Sequence, residues 1–205
     1  MDRHKFATSI AIAAALAAGA TAVATTADAH DYRDRVVLRS ADGAEVGTVK
    51  FTTTRHHTEV RVVIKNANAA IAADAFHGFH IHANNDPANG SGCVADAAQP
   101  SSTWFVSADG HFKQDGQTHG KHDGDMPSLY VNPDGSVVVS FTIDRIPIDQ
   151  LRGKAVVLHA GADNFGNVPV GANADQYQPN AVDATNKTAN TGNAGDRIAC
   201  GVIGG

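Results

Sequence analysis

Over residues 58–66 apolar and polar side chains alternate. Val60, Val62 and Ile64 fall on one side, Glu59, Arg61 and Lys65 on the other. A period of two marks a strand with one face toward a core and one toward water. The same reading predicts strands at 35–40 and 45–53, joined by a turn at Ala41-Asp42-Gly43-Ala44. Strands also follow at 128–132 and 136–143, around Asn132-Pro133-Asp134-Gly135, where proline fixes φ and glycine tolerates positive φ. The run 154–159 and the closing run 198–203 read as strands. Between these elements lie stretches without period. Residues 84–99 are rich in Asn, Asp, Pro and Gly, 101–127 in Gly, Asp and His, and 160–196 are long and polar. No helix is predicted beyond the first 29 residues. Several short strands with turn signals between them predict an all-β sandwich or barrel. Long irregular loops in a compact domain are commonly functional.

The N-terminal pattern differs in kind. Asp2, Arg3, His4 and Lys5 precede a run to Thr25 of apolar or small residues dominated by alanine, and Ala27-Asp28-Ala29 follows. That order predicts a cleaved secretory signal over 1–29 and a mature domain over 30–205, hence a periplasmic or extracellular protein. The run is built of weak hydrophobes, whereas a membrane span needs about 20 strongly apolar residues. No integral membrane span is expected after cleavage. The net charge is -5 and the basic residues are scattered, which excludes the cationic footprint of a nucleic-acid binder. Export permits a disulfide between the two cysteines, Cys93 and Cys200. Free thiols or thiolate metal ligands are the alternatives.

The chemistry lies in the histidines. In His80-Ile81-His82 the two imidazoles lie two residues apart, so a strand turns both to one side. Two imidazoles on a rigid strand make a half-site for copper or zinc. His111, His119, His122 and Asp125 fall within a Gly-rich polar stretch. Three imidazoles and a carboxylate make a four-coordinate zinc set. His159 ends an apolar strand and leads into a long loop, a good place for a further ligand.

These residues stand in four stretches: Gly78-Phe79-His80-Ile81-His82; Gly110-His111-Phe112 through His119 and His122 to Asp125; Val157-Leu158-His159; and Thr191-Gly192-Asn193-Ala194-Gly195-Asp196-Arg197-Ile198-Ala199-Cys200-Gly201. In order and spacing the chain resembles the copper/zinc superoxide dismutase family over essentially all of its mature region. The resemblance implies a Greek-key antiparallel β-sandwich or flattened barrel with two long functional loops. It implies His80, His82 and His159 as copper ligands and His111 as an imidazolate bridging copper to zinc. His119, His122 and Asp125 would complete the zinc set, with Arg197 beside copper and a Cys93–Cys200 disulfide. Asp163 would link a copper ligand to a zinc ligand, Thr191 would narrow the channel, and His77 would be structural. The run Ala162-Asp163-Asn164-Phe165 is similar to exported actinobacterial members.

The implied reaction takes superoxide as substrate and cycles copper between Cu(II) and Cu(I), giving dioxygen and hydrogen peroxide. A non-catalytic copper and zinc binding or storage module is the alternative, though such a module has no evident need of Arg197. A copper-only dismutase is another. The chain departs from the family in a shortened stretch between His119 and His122. A long 161–190 loop also lacks an obvious copy of the acidic and lysine residues that guide superoxide in many eukaryotic members. The sequence is compatible with a homodimer or a monomer.

Overall fold

The computed structural model describes residues 33–53, 57–65, 67–68, 70–144, 146, 148–164 and 182–204. The expected signal segment lies outside them. Nine strands are present among the described residues: β1 Arg33–Ser40, β2 Glu45–Thr53, β3 Thr58–Ile64, β4 Ala75–His77, β5 Phe79–His82, β6 Leu129–Val131, β7 Val137–Ile143, β8 Ala155–His159 and β9 Arg197–Val202. Seven form one antiparallel sheet in the order β5-β8-β9-β1-β2-β3-β7, and β4 pairs with β6 in a short ribbon. The last strand returns beside the first and β3 pairs with β7 rather than β4, so the connections are Greek-key.

Alternation explains most of the sheet. In β3, Val60, Val62 and Ile64 are fully buried while Glu59 and Arg61 are exposed. The curled sheet encloses Leu38, Val49, Phe51, Phe79, Ile81, Leu158 and Ile203. Each such side chain contributes about 1.5–3 kcal/mol by leaving water.

β8 is buried at every position because it is covered on both faces. Val156 and Leu158 enter the main core, while Ala155 and Val157 meet a second cluster with Phe105, Ala108 and Cys200. Trp104 packs against that cluster. Trp104 and Phe105 therefore pin the segment after β5 onto the outer face of β8.

Two local features were not in the sequence reading. The segment 76–83 breaks at Gly78 into β4 and β5, which pair with β6 and β8 respectively. A Cβ at Gly78 would stand 2.7 Å from both Ala194 Cβ and Asp163 Oδ1, so the chain passes too close for any side chain. A helix, α1, spans Val182–Thr191 within the stretch read as loop. Its Thr and Asn residues are weak helix formers, and tertiary contacts hold it. Ala189 O accepts from His119 N at 2.6 Å, and Gly192, at φ +65, ends the helix with its N–H on Thr188 O.

No helix among the described residues is long and apolar enough to cross a membrane.

Candidate metal centre

β5 is the edge strand of the large sheet, and its free side is covered by the stretch from Gly110 to Asp125. Ala83 N donates to Gly110 O at 2.9 Å and Phe112 N to Ile81 O at 2.8 Å; Ile81 N donates to Gly124 O at 2.8 Å. Two isolated bridges follow, His80 with Asp125 and His82 with His111. Gly124 permits the approach, since a Cβ there would lie 2.3 Å from Ile81 O. A loop without hydrophobic period thus borrows the backbone order of β5. On the other side β8 pairs with β5 and delivers His159 from its end.

His80, His82, His111 and His159 are buried, with one donor atom from each within 4.8 Å of the others. Hydrogen bonds fix which nitrogen that is. His82 Nδ1 donates to Asp109 O at 2.8 Å and His159 Nδ1 to Gly195 O at 3.0 Å. Carbonyls only accept, so the lone pairs are on the two Nε2 atoms, which face each other at 3.3 Å. His80 Nε2 donates to Asp163 Oδ1 at 2.8 Å. That leaves His80 Nδ1, and with it His111 Nε2, buried without a hydrogen-bond partner. Buried nitrogens left unsatisfied each cost about 1–3 kcal/mol. Four convergent lone pairs fit a cation, and imidazole donors suit copper or zinc.

Burial, helped by the neighbouring imidazoles, holds His82, His111 and His159 neutral. His82 is pushed well below the ordinary imidazole value by desolvation, then by His111, His159 and Arg197. His159 falls to about 3 through desolvation, then through the neighbouring His80 imidazole. His111 falls to about 4 through desolvation, opposed by its hydrogen bond to Asp125. Neutral imidazole is the form that binds metal.

A second set forms around Asp125. Its Oδ1 lies 3.0 Å from His111 Nδ1, 3.2 Å from His122 Nδ1 and 3.3 Å from His119 Nδ1. His122 Nδ1 and His111 Nδ1 are 3.2 Å apart. His80 also comes within 4.8 Å of His111, His119 and Asp125, but its Nε2 is held by Asp163. Burial acts to raise the Asp125 carboxyl, and hydrogen bonds from His111 and His119 outweigh it, so it stays far below the usual range and anionic. Its Oδ2 takes the N–H groups of Gly120 and His122. His111 belongs to both sets, Nε2 in the first and Nδ1 in the second.

Asp163 joins the two from behind. Its Oδ1 accepts from His80 and lies 3.5 Å from His119 Nε2, and its Oδ2 accepts from Ser128 Oγ at 2.6 Å. Gly78 and Gly192 both press against it. Arg197 donates from Nη1 to Phe105 O at 2.5 Å and from Nη2 to Asp109 O. Its charge reaches both His82 and His159. His77 stands outside both sets, its ring nitrogens on His159 O and Ala72 O at 2.7 and 2.8 Å. Thr191 is exposed at the end of α1 and donates back to Lys187 O. Cys93 and Cys200 form a disulfide, tying the 84–109 segment to β9. The sequence reading did not single out Ser128, Asp109, or the carbonyls of Phe105 and Gly195. Backbone acceptors carry no residue-type signal, and Ser128 is one serine among many.

The family model for copper/zinc superoxide dismutase matches residues 45–203. The Cu-Zn superoxide dismutase of Mycolicibacterium paratuberculosis is 37% identical over 172 residues, covering 82% of this chain and 72% of that protein. That of Mycobacterium tuberculosis is 36% identical over 175 residues, covering 82% and 68%. Among solved structures, a double mutant of a SOD-like protein from Bacillus subtilis superposes with a TM-score of 0.56 at 25% identity, covering 83% of this chain and 97% of that one. The matching family model and relatives, with two adjacent histidine-rich donor sets carried on a Greek-key sheet, place the chain in the copper/zinc superoxide dismutase family, enzymes that convert superoxide to dioxygen and hydrogen peroxide.

Proposed function

We propose that His80, His82, His111 and His159 hold copper, and that His111, His119, His122 and Asp125 hold zinc. The observation that carries this reading is the single His111 ring turned toward both sets, with its Nε2 buried and unpartnered. Bound copper supplies the one-electron chemistry, oxidising one superoxide and reducing a second, while redox-inert zinc supplies a fixed positive charge.

The chain's own groups do the rest. His111 takes up and returns a proton at Nε2 while Nδ1 stays with the zinc set. Arg197 draws the superoxide anion inward and hydrogen-bonds to it; a fixed guanidinium in a half-buried site is stronger than one in water. Asp163 fixes the His80 tautomer and orients His119. The Cys93–Cys200 disulfide anchors the segment that carries both carbonyl partners of Arg197. Residues 1–29 act as an export signal, giving a periplasmic or extracellular enzyme; the disulfide supports this.

The test is superoxide decay with purified chain reconstituted with copper and zinc, beside a metal-free control, both metals being quantified in the same sample. Fast decay at one copper and one zinc per chain is expected. Full loading without turnover would overturn the catalytic assignment and leave a metal-binding module. Turnover with copper alone would overturn the zinc assignment.

A further inference from the structure

We propose that Asp109 is a positioning residue, tying the Asn85–Asn89 segment to His82 and Arg197. The inference rests on the copper assignment above. Asp109 has φ 63 and ψ -160, a region that glycine occupies freely and other residues do not. A non-glycine residue persists there only when its surroundings over-determine it, and the contacts of Asp109 do so.

Its carboxylate takes three donors from one neighbouring segment. Oδ2 accepts from Asn85 N at 2.5 Å and Asp86 N at 2.8 Å, and Oδ1 accepts from Asn89 Nδ2 at 2.9 Å. Its own N–H donates to Val106 O. With the side chain and the amide held, the peptide carbonyl has one direction. It receives His82 Nδ1 and Arg197 Nη2 together. One carbonyl therefore sets both the tautomer of a metal-binding imidazole and the pose of the cation that meets the substrate. Glycine would allow this geometry; aspartate locks it from outside the metal site.

The test compares Asp109→Gly and Asp109→Asn in the full chain loaded with copper and zinc. Glycine accepts the backbone angles but cannot hold Asn85, Asp86 or Asn89. Asparagine keeps an oxygen for the two backbone N–H groups, and Asn89 can turn its amide to accept from the other side. Both variants remove the negative charge, so a difference between them does not come from charge, and backbone strain would act against asparagine rather than glycine. Azide, a small anion that ligates Cu(II), is the probe.

Asp109→Gly should bind azide about three- to tenfold more weakly, the range of one net hydrogen bond. Its Cu(II) electron paramagnetic resonance spectrum should broaden. Asp109→Asn should stay within about twofold of the parent chain, as a tie preserved by the same hydrogen bonds requires. Asn89→Ala, on an exposed residue, should shift azide affinity the same way by less, and it decides the matter if Asp109→Gly does not fold. Parent-like azide affinity and spectrum in Asp109→Gly would overturn the proposal. So would equal impairment of Asp109→Gly and Asp109→Asn. A parent chain that binds both metals but does not consume superoxide would sink the proposed function instead, while the azide and spectral comparison would still decide the tie.

Discussion

Arg197 combines a charge with a fixed pose. Burial lowers its proton affinity and Asp109 counters that, and two carbonyls hold its fork. Arg197→Ala should lower kcat/KM for superoxide about 10- to 100-fold at low ionic strength and flatten its salt dependence. Arg197→Lys should recover only part, since an ammonium lacks the planar fork that spans both carbonyls and still faces the substrate. Pulse radiolysis across a salt series reads both effects. Gly192 is the second residue-scale test. A Cβ there would lie 2.5 Å from His119 Nε2 and 2.8 Å from Asp163 Oδ1, at φ +65. Gly192→Ala should destabilise by about 1–3 kcal/mol and reduce zinc content, seen in chemical denaturation and metal analysis. At this scale the histidine pattern was legible because each ligand type and its spacing stand in the chain. The glycines were legible only as a motif. What each makes room for depends on Asp163, far away in sequence from Gly78.

Strands with a strict period were readable from residue order, as β3 demonstrates. α1 was not, because its ten residues have weak helix propensity and its support comes from the His119 and Asn164 contacts. The break at Gly78 was hidden for a similar reason: only Gly78 separates β4 from β5, and the two differ in their partners. The 84–109 segment shows how an irregular element is fixed. The disulfide spans 107 residues of chain, and its loss in Cys200→Ser should cost roughly 4–5 kcal/mol by loop-closure entropy. A urea midpoint well below that of the parent is expected. Because the segment supplies Phe105 O and Asp109 O to Arg197, turnover should fall in the folded variant as well.

Over the whole molecule, stability, protons and metals are linked. In the metal-free chain His111 titrates at about 4 and His159 at about 3, both below the 6.5 of a free imidazole and both through burial first. The unfolded chain therefore binds protons that the folded chain refuses. The stability of the metal-free chain should be highest above pH 6.5 and decline as pH falls toward 3. Loading with copper and zinc should raise Tm at neutral pH, by about 4 kcal/mol of stability for each metal at a thousandfold excess over its Kd. The gain should shrink as acid competes for the same nitrogens. Calorimetry of both forms from pH 7 to 4 checks sign and window.

The sequence by itself determined the strictly periodic strands, the all-β class and the identity of the candidate ligand side chains, because period and residue type are local properties. Only the tertiary structure decided which nitrogen of each ring is offered, because carbonyls distant in sequence fix the tautomers. It also decided that His111 serves both sets, since that depends on a loop pairing with the edge of β5. The role of Asp109 became visible only when its side chain and its carbonyl could be seen facing opposite neighbours.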